Sequence, residues 1–193
     1  MTAQDRPPVS RLPLAADPPT DPLARTCYER SYKRGREPLN LHKALSHAPE
    51  MLNIVNELTL AIRFKSSLPR DTQELIILKV ADIAHGDYVR SRHVPLAMGW
   101  GASRERVAAI PHFAASDLFD AKEKAMLAYV DALAKNEPVD EALFAGLTPH
   151  FSSKEIVEIT VSAAGYLAVS RAGNALGLKP DPGHDPDKPS KHQ

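Results

Sequence analysis

The chain has 193 residues, 43% hydrophobic and 25% charged, the balance of one globular domain with a single sizeable core. Basic and acidic residues both number 24, so the formal charge is zero; this gives no electrostatic reason for a nucleic-acid or anionic-membrane partner and favours self-association. Cys27 is the sole cysteine, which rules out an intrachain disulfide and a two-thiol redox cycle, and no apolar run has membrane-span or signal-peptide character, so a cytoplasmic location is expected.

Six prolines fall in residues 1 to 22 and four more in 179 to 193. These polar stretches, 1–21 and 179–193, are expected to be extended or mobile tails around a single domain at 22–178. Within it the period is helical. DPLARTCYERSYKRG reads as a first helix ended by Gly35 and Pro38, and LNLHKALSH as a short second one. Pro49 opens PEMLNIVNELTLAIRFKS, whose apolar residues cover more than one stripe, predicting a helix buried on most sides. Leu68-Pro69-Arg70-Asp71 starts a helical hairpin that runs to Trp100, with Asp71 and Glu74 at capping-box spacing.

After Gly99 and Gly101, ASRERVAAI is a short helix stopped by Pro111. DAKEKAMLAYVDALAKN is amphipathic and DEALFAGL brief. SSKEIVEITVSAAGYLAVSRAGNALGL is long and apolar, with Ser153 as N-cap, Ile156, Val157 and Ile159 starting its buried face, and Gly177 as its stop. Branched residues in ELIILKVADIA and EIVEITVSA admit a strand alternative, but length and caps favour helix. The fold class is all-α. A shift of 81 residues sets Glu74 on Glu155, Leu78 on Ile159, Val80 on Val161, Arg90 on Arg171 and His93 on Asn174, which suggests an internal repeat of which only the first copy keeps an imidazole.

The chemistry-bearing residues gather in the hairpin. His93 is the natural proton donor or acceptor near neutral pH, against the plainer reading of a satisfied core or surface histidine. Pro95 lacks an N–H, frees the carbonyl of Ser91 and is expected to kink the helix beside that ring. Glu74 sits among Leu75, Ile76, Ile77 and Leu78; it either caps its helix with Asp71, faces solvent beside Gln73, or is held inside next to the imidazole, fixing its tautomer. Tyr88 could donate a phenolic proton, and Arg90 or Arg92 could clamp a carboxylate or oxyanion, although at least one of the two is expected in solvent. His85, Asp87 and His93 match no metal-ligand spacing, so no metal is expected, and the chain has neither a glycine-rich phosphate loop nor a GxSxG elbow.

The run Arg70-Asp71-Thr72-Gln73-Glu74-Leu75-Ile76-Ile77-Leu78, followed by Asp87-Tyr88, His93-Val94-Pro95-Leu96-Ala97 and Gly99, resembles the carboxymuconolactone decarboxylase family, which includes the alkylhydroperoxidase D-like proteins. Tyr166, Arg171 and Asn174-Ala175-Leu176-Gly177 are similar to its C-terminal pattern, and the likeness covers roughly residues 40 to 178. The resemblance implies an all-helical fold, homo-oligomers (trimers or hexamers) with sites near subunit contacts, a small-molecule substrate, and in the decarboxylase branch no cofactor. It makes Glu74, Tyr88 and His93 the catalytic residues, with Arg90 and Arg171 binding substrate. The peroxidase branch carries a CxxC pair ahead of the histidine; those positions here are Gly86 and Val89, which excludes thiol-based peroxide reduction. Arg90 stands where many cysteine-free relatives have Trp, implying a more polar pocket. The expected function is therefore a cofactor-free decarboxylase-like lyase acting on a small organic acid or lactone. The alternatives are a hydratase, isomerase or cyclase at the same site, or a non-catalytic oligomeric ligand-binding protein.

Overall fold

The structure, a computed structural model, describes residues 10–181, 183–185 and 187–190. Nine α-helices follow in order among them: α1 (Pro22–Tyr32), α2 (Asn40–Leu45), α3 (Pro49–Phe64), α4 (Arg70–Ile83), α5 (Asp87–Gly99), α6 (Arg104–Ala109), α7 (Ala121–Lys135), α8 (Glu141–Ala145) and α9 (Ser153–Leu176). A 3-10 segment, Ile110–Ala115, carries α6 past Pro111. The described residues contain no strand, so ELIILKVADIA and EIVEITVSA are helical as their length and caps implied.

The core is built around α4. Every residue from Gln73 to Ala81 is buried, and the helix packs against α5, α7 and α9. Complete removal of Ile76, Ile77 and Leu78 from water contributes about 1.5–3 kcal/mol each. A helix buried all round leaves no cheap place for a polar side chain, which is why the three inside it, Gln73, Glu74 and Lys79, must be bonded, Lys79 to Asp131 at 2.6 Å. The α4–α5 turn is tight: His85 takes a left-handed φ of 51°, and Gly86 lies so close to α9 that a Cβ there would meet Ser170 Oγ at 2.8 Å. Asn174 Nδ2 donates to the Ala84 carbonyl at 2.8 Å and ties the same turn to α9.

Several expectations are revised. Helix α3 is not buried on most sides: Met51 and Ile54 are more than half exposed, because α1 and α2 cover its Leu52 face and α9 its Ile62 face. The N-cap of α9 is Ser152 rather than Ser153, in a reciprocal capping box with Glu155, and Val157 faces outward. Glu155 is thereby a half-buried cap where its counterpart Glu74 is wholly buried, and the echo of the α4–α5 hairpin lies within the one unbroken helix α9. The 81-residue shift therefore pairs a two-helix hairpin with a single helix and does not by itself make a structural repeat.

Neither tail is loose throughout. Residues 1–9 lie outside the described residues, but Ser10 and Arg11 cap the end of α9, donating to the carbonyls of Leu176 and Ala175. At the other end, Asp181, His184 and Ser190 lie across α2 and α5, where His184 Nε2 donates to the Ser91 carbonyl at 2.6 Å. That is the acceptor which Pro95 leaves without its helical partner. The segment stays in place because it satisfies polar groups the helices cannot satisfy themselves.

Candidate functional site

Helix α4 holds Glu74 at 0% exposure and α5 holds His93 at 7%, and the two meet inside the protein. His93 Nδ1 lies 2.7 Å from Glu74 Oε2, and Arg70 Nη2 donates to Oε1 of the same carboxylate at 2.7 Å. An ionised carboxylate only accepts, so the imidazole proton sits on Nδ1 and Nε2 is the nitrogen left for chemistry. Arg70 also donates to Gln73, whose Nε2 donates to the Leu68 carbonyl at 2.9 Å. The capping reading of Glu74 is thus replaced: Pro69 is the N-cap, and the Asp71 side chain accepts from Thr72 N–H instead.

Burial pushes the His93 imidazole below its ordinary pKa, and the Glu74 charge and hydrogen bond oppose that shift without cancelling it. The resting ring is neutral near pH 7. Tyr166 of α9 stands edge-on to it, with centroids 5.1 Å apart at 85°. Burial holds the Tyr166 phenol up at about 12, so it stays protonated.

His93 lines a cavity of about 110 Å³. Its wall carries Tyr88, Tyr166, Asn56 and His42, and four arginines: Arg34, Arg36, Arg63 and Arg92. Apolar surface comes from Leu41, Leu60, Leu96 and Val169. Arg36 is held down to about 10 by burial and then by the charges of Arg63, Arg92 and Arg34, which leaves it cationic at neutral pH. Burial lowers His42 to about 4, so it is neutral there. A second cavity of about 500 Å³ adjoins the first at Arg36, Leu39 and Arg92, and Asp181, Gly183 and His184 of the C-terminal segment form part of its wall.

The hairpin thus brings Glu74, Tyr88 and His93 to one site, and two of the expected substrate-binding residues are absent from it. Arg90 pairs with Asp82 at 2.5 Å and lines a different, open groove on the α5–α6 side. Arg171 is exposed on α9 and lines neither cavity. The helical period explains the exchange: two residues on from Arg90, Arg92 turns toward the cavity. Tyr88 reaches the cavity, but its hydroxyl donates to Asp181 Oδ2 at 3.0 Å and accepts from Leu41 N–H at 3.4 Å. Burial raises its pKa well above the usual phenol value, with the Asp181 charge adding to the effect, so it acts as a fixed proton holder. The residues that sequence reasoning missed are Arg36, Arg63, His42, Asn56 and Asp181. Arg70 had a signal in its i,i+4 spacing to Glu74, whereas the others come from separate stretches with no shared spacing.

Residues 49–132, from α3 into α7, match the model of the carboxymuconolactone decarboxylase family. Over this span the chain is similar to that family. The matched span contains the whole α4–α5 hairpin and therefore the Glu74–His93 pair. Solved structures share the fold. An uncharacterized peroxidase-related protein with an alkylhydroperoxidase AhpD core, from Ralstonia eutropha JMP134, superposes with a TM-score of 0.80 at 20% identity, over 92% of this chain and 95% of that one. A peroxidase-related protein from Silicibacter sp. TM1040 gives 0.76 at 20% identity over 92% and 96%. The debrominase Bmp8 gives 0.74 at 20% identity over 92% and 94%. At such identities these likenesses establish the all-helical fold and leave the chemistry to the site. No curated protein matches the sequence.

Proposed function

We propose that this protein is a cofactor-free lyase of decarboxylase type that moves protons on a small organic acid or lactone through His93. The observation carrying this reading is the buried 2.7 Å bond between His93 Nδ1 and Glu74, which orients the ring on the wall of a basic cavity. The likeness of residues 49–132 to the carboxymuconolactone decarboxylase family supports the reaction class. In such a step the bond from carbon to the carboxylate breaks, CO2 leaves, and the electron pair passes into the enolate of the neighbouring carbonyl. His93, protonated on Nε2, delivers that proton to the carbon and is recharged from water. Burial favours the neutral imidazole, and an anionic substrate beside it favours the charged form. The guanidinium groups on the wall stabilise the enolate oxygen as its charge develops.

The neutral resting ring supports a second reading, in which Nε2 first takes a proton from a carbon next to a carbonyl and returns it elsewhere. That is an isomerase, hydratase or cyclase step. Mass spectrometry of products from candidate lactone acids separates the two, since only the lyase loses CO2. His93→Ala is expected to abolish either reaction while the protein stays folded. Unchanged turnover per folded molecule would make the histidine structural, and saturable binding by the wild type without any product would point to a ligand-binding protein. Assembly as a trimer or hexamer is part of the same proposal, supported by exposed Met51, Ile54, Val157 and Val161, and light scattering measures it.

A further inference from the structure

The arginines around the cavity come from distant places: Arg36 from the loop after α1, Arg63 from the last turn of α3 and Arg92 from α5. Like charges drawn into a half-buried site repel one another, and after burial it is the charges of Arg63, Arg92 and Arg34 that hold the Arg36 guanidinium down. Glu37 lies exposed at the rim. Glu74 is already engaged by Arg70 and His93. Asp181 stands 3.6 Å from Arg92 Nη1, and its oxygens accept from the Asn40 amide and the Tyr88 hydroxyl.

Polar atoms on the same wall are left open. Arg36 Nη2, Asn56 Nδ2 and His42 Nδ1 have no hydrogen-bond partner among the described residues, and Asn56 is only 4% exposed. An unpaired buried donor is costly to the fold, a cost that a ligand oxygen in the cavity removes. Positive charge together with open donors is the chemistry of a seat for a planar oxyanion. Leu60, Leu96 and Val169 supply an apolar surface beside it, with His93 on the same wall.

We infer that Arg36, Arg63, Arg92 and Asn56 form the carboxylate seat of this site, holding the head of a small organic carboxylate whose carbon skeleton lies toward His93. The chemistry assigned to that ligand rests on the acid–base reading above, whereas its binding does not. The cavity is smaller than the roughly 150 Å³ that accepts benzene, so at about 110 Å³ it takes a short chain or one small ring. Larger acids extend past Arg36 and Arg92 into the adjoining space.

Isothermal titration calorimetry of the full chain with maleate, and separately with chloride, tests the seat. Maleate is expected to saturate, with chloride competing weakly. Arg36→Gln and Asn56→Ala are each expected to weaken maleate by about tenfold or more. Arg36→Gln is also expected to melt no lower than the wild type without ligand, since a repelling charge has gone. Should it fail to fold, Arg36→Lys keeps the charge, loses the planar fork and is read the same way. His93→Gln is expected to bind maleate within about threefold of wild type while losing turnover, because it leaves the donors in place. Maleate binding unchanged in Arg36→Gln, or matched by chloride, would overturn the seat. Maleate binding that depends on Arg36, in a protein that turns over no acid, would uphold the seat and remove the lyase reading alone.

Discussion

Replacing Glu74 by Gln is the sharpest test of the pair, because the side chain keeps its shape and changes only its charge and one donor. Arg70 has an 85% buried side chain, its exposure being 15%, and a guanidinium can only donate. The new amide must therefore turn its oxygen toward Arg70 and its NH2 toward His93. His93 Nδ1 then becomes an acceptor, the ring proton moves to Nε2, and the nitrogen facing the chemistry can no longer take a proton. A comparable acid-to-amide exchange behind a catalytic imidazole costs about 10⁴-fold in rate, and a loss of about 10³–10⁴ is expected here. Loss of the Glu74 charge also removes the main force opposing burial, so the His93 pKa falls further. The geometry keeps both hydrogen bonds, so the stability loss is that of an ion pair reduced to a neutral one, about 2 kcal/mol. That corresponds to about 4–8 °C in melting temperature for a chain of this size. Long-range 1H–15N NMR of the imidazole reads the tautomer without any substrate: Nδ1–H in the wild type, Nε2–H in the variant. A variant that keeps the Nδ1–H tautomer, or turns over at the wild-type rate with an unchanged pH profile, refutes the reasoning.

Acid should weaken the fold through two imidazoles. Burial lowers His42 to about 4 and places His93 below its ordinary value, so the unfolded chain takes up protons first as pH drops. Stability from these groups is complete above about 6.5 and drains as pH falls toward 4, with His42 alone contributing on the order of 3 kcal/mol; urea denaturation of wild type against His42→Gln should show a flatter profile for the variant. Restoring a CxxC pair with Gly86→Cys and Val89→Cys should give no thiol peroxidase, and Gly86→Cys alone should lose about 1–3 kcal/mol, because its Cβ would meet Ser170 Oγ at 2.8 Å and Cβ at 2.9 Å. Ser170→Gly in the same chain should return much of that stability, as thermal melts would show. Asp181→Ala should cost about 1–2 kcal/mol by leaving the buried Tyr88 hydroxyl and the Asn40 amide without their acceptor, and the cost should shrink in a Tyr88→Phe background.

Local rules made the helices legible. Pro22, Pro49 and Asp120 begin helices, Gly177 ends one, and the apolar run from Leu75 to Leu78 could only lie in a core, so the all-α class and the α4–α5 hairpin follow from periodicity and caps. Pro95 announced a free Ser91 carbonyl, but only the fold shows that His184 takes it. Spacing allowed Glu74 three places, in a cap, in solvent or beside His93. The choice among them belongs to burial, since a carboxylate on a fully enclosed helix needs partners and finds Arg70 and His93 there.

The sequence by itself determined the helical class, the hairpin and the absence of a CxxC pair, because each depends on residues close in the chain or on their identity alone. The tertiary structure decided which arginines matter. Arg90 and Arg92 differ by two residues and 200° of helix, enough to send one to Asp82 and the other to the cavity. Arg36 and Arg63 reach the same cavity from elements that no periodicity connects, because the seat they form exists only where α3, α5 and the loop after α1 come together.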